Sequence, residues 1–220
     1  MCFSATASFV GAGVVAAAGV VSLTLVRERR QVPFAALPFL FGIHQALEGW
    51  TWLALDGRES ATLGGPGVHM WVMFAWAVLP AYIPWSVRLM ETDARRRRRQ
   101  LVPLAVGVVL SLYMITLAAA PTVSVTVVHG SLDYGLGVPF SAAWAAVPYV
   151  FATCLAPMLS SFTFVVVMGA GNLVAMSVAA MMNAAGYASI WCTFAAFLSL
   201  IVCAHLIADR RAVRTRSRLK

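Results

Sequence analysis

Apolar residues in this chain come in long continuous runs, and the polar residues are gathered into short breaks between them. Each run is about 20 residues long, the length an α-helix needs to cross a hydrocarbon layer about 30 Å thick. Seven runs can be drawn, over residues 8–26, 33–55, 68–90, 101–120, 140–158, 162–182 and 186–208. They predict an all-α polytopic membrane protein, a seven-transmembrane helix bundle over residues 1–208 with a basic cytoplasmic tail over 209–220. The break between the fifth and sixth runs is the short stretch Ala156-Pro-Met-Leu-Ser-Ser, where Pro157 and the paired serines predict a tight turn. Pro80 and Pro84 in the third run and Pro148 in the fifth are expected to kink their helices, because proline donates no backbone hydrogen bond. Of the two longer connections, residues 56–67 and 121–137, the second reads as a short hairpin, Thr122 to Val128 and then Gly130. Small residues Gly11, Gly13, Ala17 and Gly19, and Gly169 to Gly171, are expected to let helices approach closely.

Composition agrees with the runs: 61% of residues are hydrophobic and 11% charged, against about 25% charged in a soluble domain. Mean hydropathy is +0.84. A net charge of +8 raises the question of nucleic acid, but the arginines lie in the breaks, and no basic groove is interleaved with aromatics. Nucleic acid is therefore not an expected partner; membrane lipids and a small ligand or ion are, and self-association is compatible with the small-residue faces. All but one of the 16 Lys and Arg fall at the end of, or after, the first, third and seventh runs, and the exception is Arg58. By the positive-inside rule this puts the N-terminus outside and the C-terminus in the cytoplasm, in the cell membrane. The first run has no preceding Lys or Arg and no small-residue cleavage site, so it is expected to be retained as a helix. Four cysteines form no CxxC pair, which leaves a cysteine-rich zinc site unsupported.

Candidate chemistry sits in the second run. His44, Gln45 and Glu48 interrupt a segment otherwise suited to lipid, where an ionisable side chain costs about 2.5–3.5 kcal/mol even on insertion scales. His44 and Glu48 are four apart and share one helix face, and Trp52 and Asp56 continue the same ladder. A neutral imidazole with a carboxylate one turn away suits a transition metal such as zinc or copper, a proton relay or an amine-bearing ligand. It also suits a plain hydrogen-bonded pair between helices. Cys2, next to the initiator, is the nearest external contributor: without Met1 it offers amine and thiol together, as a metal chelate or an N-terminal nucleophile. Gln45, Asn172, Trp52 and Tyr187 are the expected supporting residues. The expectation is an outward-opening polar pocket centred on His44 and Glu48, with Cys2 nearby, binding a metal ion or small ligand. A proton-coupled small-solute transporter and a membrane-embedded enzyme using Cys2 are the alternatives. Trp50, Trp71 and Trp144 read either as an outer vestibule or as an interfacial belt, and His205 as an interface residue near Asp209. The only lysine is Lys220 in the tail, which excludes a retinal Schiff base within the bundle.

The opening Met1-Cys-Phe-Ser-Ala-Thr-Ala-Ser-Phe, together with Phe41-Gly-Ile-His-Gln-Ala-Leu-Glu-Gly-Trp, resembles a family of uncharacterised bacterial seven-helix membrane proteins. The resemblance covers nearly the whole chain and implies a membrane bundle without implying an activity. Seven-helix zinc hydrolases such as the alkaline ceramidases are similar in helix count, but their Ser-x-x-x-His and His-x-x-x-His pairs do not occur here.

Overall fold

The computed structural model describes residues 4–55, 60–61, 65–120, 122–136, 143–183 and 185–218. Helix α1 (Ala5–Leu25) starts at Ser4, whose hydroxyl oxygen accepts the Ala7 N–H at 3.2 Å. It ends in a connection held by Gln31, whose Oε1 accepts the N–H groups of Arg27 and Glu28. Helix α2 (Leu37–Leu55) returns along α1. A Cβ on Gly19 would overlap the backbone of Phe39, and one on Gly42 would sit 2.7–2.9 Å from Ala16, so glycine permits the close approach. Gly11 and Gly13, expected to serve the same end, have no neighbour within 4 Å of an added Cβ, whereas Gly49 of α2 makes room for the Phe9 ring of α1.

Helix α3 spans Pro66–Met90 and α4 spans Ala94–Ala118. The prolines act by widening a helix rather than breaking it. A π-helical segment, Met73–Val78, lies just before Pro80, and another, Phe151–Leu155, lies just after Pro148. Pro84 has no N–H for the carbonyl of Pro80, and α4 covers that oxygen with Gly107, where any Cβ would collide with it. Helix α5 (Ala143–Val150) runs through the second π segment to Met158, and α6 covers Thr163–Met182. Helix α7 (Tyr187–Leu198) continues past Ser199 into α8 (Leu200–Arg218).

Every apolar run is thus helical where described, and the class is all-α. Among the described residues, five helices are long and apolar enough to cross a membrane, against the seven spans the sequence led one to expect. The other two fall short for visible reasons. Helix α2 carries His44, Gln45 and Glu48, and the described part of α5 is short.

The predicted hairpin forms. Strands β2 (Ser124–Val128) and β3 (Ser131–Gly135) pair antiparallel, and β1 (Ser60–Ala61) adds a third strand beside β2. The turn residues His129 and Gly130 both have positive φ, 49° and 75°, as a two-residue primed turn needs. Val123, Val125, Leu132, Tyr134 and Leu136 are buried and pack with Trp71, Trp76 and Tyr149. The sheet therefore closes one end of the bundle.

The arginine-rich end is closed differently. Glu91, 1% exposed, accepts hydrogen bonds from Ser160 Oγ (3.1 Å), Ser161 N (2.7 Å), Ser161 Oγ (2.6 Å) and Asp93 N (2.9 Å). Burial by itself would raise the Glu91 carboxyl, but the Ser161 hydroxyl, the Asp93 and Ser161 amides and the Ser160 hydroxyl together hold it below its ordinary value. The serines of the predicted turn are thus tied to the α3–α4 connection. Arg96 Nη1 adds a bond to the Ser160 carbonyl at 2.9 Å.

Candidate functional site

The polar face of α2 is buried against α3 and α7. His44 and Glu48 are both 0% exposed and Gln45 is 3% exposed. Glu48 accepts hydrogen bonds from two other helices. Trp71 Nε1–H of α3 donates to Oε2 at 3.3 Å, and the Ser189 hydroxyl of α7 donates to Oε1. Gln45 Nε2 donates to Thr193 Oγ1 at 3.4 Å, one turn along α7 from Ser189. Three helices remote in sequence are thus joined by one polar seam.

His44 lies in the same seam but is held by ring faces alone. Its centroid is 4.7 Å from that of Trp71 and 4.9 Å from that of Phe74, which are one turn apart on α3. Neither Nδ1 nor Nε2 has a hydrogen-bond partner among the described residues. Trp71 in turn stacks on Tyr134 of β3, with centroids 3.7 Å apart and planes 4° from parallel. The sheet therefore reaches the site through Tyr134, and Asp133 beside it is half-buried, its carboxyl raised by that burial. Phe41, one turn before His44, lines a cavity of about 20 Å³ that Thr153, Asn172 and Ser199 also border. That is room for about one water.

The other expected residues divide. Trp52, the next rung after Glu48, is partly buried, and its Nε1 has no partner among the described residues. Asn172 belongs to a separate cluster: its Oδ1 accepts from Trp191 Nε1 at 2.8 Å and its Nδ2 donates to Cys154 Sγ at 3.5 Å. Tyr187 packs beside Trp76, with centroids 6.4 Å apart. His205 meets Phe34, Phe162 and Phe164 edge-on or tilted, at the far end of the bundle. Cys2 and Asp56 lie outside the described residues. Ser189 and Thr193 escaped the sequence reading, although two hydroxyls at i and i+4 in an apolar helix are the available signal.

Chemically the arrangement is a carboxylate oriented by an indole and a hydroxyl, beside a flat imidazole with both edges unclaimed. A neutral imidazole has one donor and one acceptor nitrogen, and burying either unpaired costs about 1–3 kcal/mol. Among the described residues no three His, Cys, Asp or Glu side chains come together to hold a metal ion. His44 and Glu48 offer two donors, so a metal would need further ligands from elsewhere.

The chain belongs to a family of unknown function, DUF6629, whose model matches residues 1–218. No curated protein and no solved structure matches it.

Proposed function

We propose that this protein is a seven-span membrane protein whose arginine-rich end faces the cytoplasm and whose His44–Glu48 centre binds a small hydrogen-bonding ligand or a metal ion. The supporting observation is the imidazole of His44: fully buried, packed against the rings of Trp71 and Phe74, and unbonded at both nitrogens among the described residues. A packing residue in that slot needs no nitrogen, whereas a ligand bearing one donor and one acceptor restores both missing bonds. The Glu48 carboxylate, already oriented by Trp71 and Ser189, supplies the charge for a cationic group on that ligand. The metal version needs additional donors, with Cys2 the external contributor that the predicted topology brings to this side.

Metal analysis and native mass spectrometry of the purified wild type, His44→Ala and Glu48→Gln proteins test the reading. Bound metal or small molecule in the wild type and its loss in both variants is the expected result. Equal and negligible metal in all three ends the metal version, and equal small-molecule content in all three ends the reading as a whole.

Proton-coupled solute transport is the second reading, favoured by the π-helical turn that opens directly after Trp71 and Val72, since such turns recur at moving and functional sites. Under it Tyr134 and Trp71 gate the centre, and Glu48→Gln abolishes flux driven by a pH gradient in proteoliposomes. Unchanged flux removes it.

A further inference from the structure

A second polar cavity, of about 370 Å³, opens at the arginine-rich end of the bundle, away from His44. The α1–α2 connection contributes Arg27, Glu28 and Arg30, the α3–α4 connection Thr92, and α8 His205 and Asp209. Its size suits a small polar ligand. Its walls are fixed before anything enters. Gln31 pins the Arg27–Glu28 backbone. The Glu91 bonds to Ser160 and Ser161 join the α3–α4 connection, next to Thr92, to the α5–α6 turn, next to Phe162. Arg210 ties α8 to the last carbonyls of α1, at Thr24 and Leu25.

The charges in the cavity sort themselves. Arg30 is paired with Glu28. Arg27 and Asp209 each face the cavity with no hydrogen bond or ion pair from their side chains among the described residues. One cation without an ion-pair partner among the described residues and one anion whose ionisable neighbour is the His205 imidazole stand on a preformed wall, and they complement a ligand carrying both signs. The rings of Phe162 and His205 border the same space and offer faces to an ammonium group. The last turns of α1, which lead into Arg27, expose the apolar side chains Val20, Val21 and Leu23, on which hydrocarbon can lie.

We infer that this cavity holds the headgroup of a zwitterionic phospholipid, its phosphate on Arg27 and its ammonium on Asp209, with the acyl chains along α1. The site is independent of the His44–Glu48 centre.

The test uses the full chain purified in micelles doped with equal mole fractions of phosphatidylethanolamine and phosphatidylglycerol, and counts retained lipids by native mass spectrometry. The wild type should retain the ethanolamine lipid about threefold to fivefold over the glycerol lipid, the scale set by one partly exposed charge pair. Arg27→Gln should lose both lipids. Asp209→Asn should invert the preference, because only the phosphate-binding charge remains. Arg29→Gln, exposed and outside the cavity, should change nothing. Equal retention of the two lipids by the wild type overturns the proposal, and that measurement stands even if a variant fails to fold. An unchanged preference in folded Asp209→Asn also overturns it. Soluble phosphoethanolamine binding as tightly as the lipid would assign the site to a free metabolite and overturn the lipid source.

Discussion

Among the described residues two acidic side chains are buried, and they are treated in opposite ways. At the arginine-rich end, Glu91 is surrounded by two amides and two hydroxyls, all pointed at its oxygens from within hydrogen-bonding distance. At the centre, Glu48 is also well held, by Trp71 and Ser189, yet the His44 ring one turn away is left with both nitrogens unbonded among the described residues. The first arrangement is closed and self-sufficient, as a structural clasp should be. The second carries a standing cost beside a carboxyl group already oriented, which is the contrast the proposed binding role rests on.

The contrast is sharpened most by removing the clasp. Glu91→Ala strands the Asp93 and Ser161 amides and should destabilise the fold by about 3 kcal/mol or more, read from denaturant unfolding in detergent. A loss under about 1 kcal/mol would mean that solvent or neighbours replace the carboxylate, and the two acids would no longer differ in kind. The opposite sign is expected at the centre. His44→Phe keeps a flat ring against Trp71 and Phe74 and removes two nitrogens that have no partner among the described residues, so stability should hold or rise by about 1 kcal/mol while any bound ligand is lost. A clear loss of stability in the ligand-free protein would show that those nitrogens are bonded.

The smallest effect is on pH. The Glu91 carboxyl is held below its ordinary value, so its contribution is fully present above the unfolded value of about 4.3 and is lost as pH falls through the lower folded value. The stability difference between wild type and Glu91→Gln should therefore be flat above about pH 6 and shrink on acidification below about pH 4. A difference that grows on acidification would reverse the assignment.

Much of the architecture was readable before any coordinates. Long apolar runs became helices, the paired serines became part of the turn between α5 and α6 while Pro157 stayed in the last helical turn of α5, and Thr122 to Gly130 became most of a hairpin. His44, Gln45 and Glu48 stood out because polar groups are costly in such a run. Their partners did not stand out. Trp71 read equally well as a belt residue, Ser189 and Thr193 as ordinary small residues of a membrane helix, and Asn172 was assigned to a centre whose hydrogen bonds it does not join. The Glu91 clasp was also invisible, since a lone acid in a charged connection carries no sign that it will be buried.

Lipid compatibility is a property of consecutive residues, so composition along the chain was enough to set the helical class, the turns and the cost of a polar group inside a run. Which groups meet across the bundle depends on how each helix is rotated about its axis and how far it slides against its neighbours. Those are decided by contacts between segments more than 100 residues apart, such as Glu48 with Ser189, and by glycines that let α1 and α2 close together. Only the packed structure could therefore separate a satisfied acid from one lying beside an unsatisfied base.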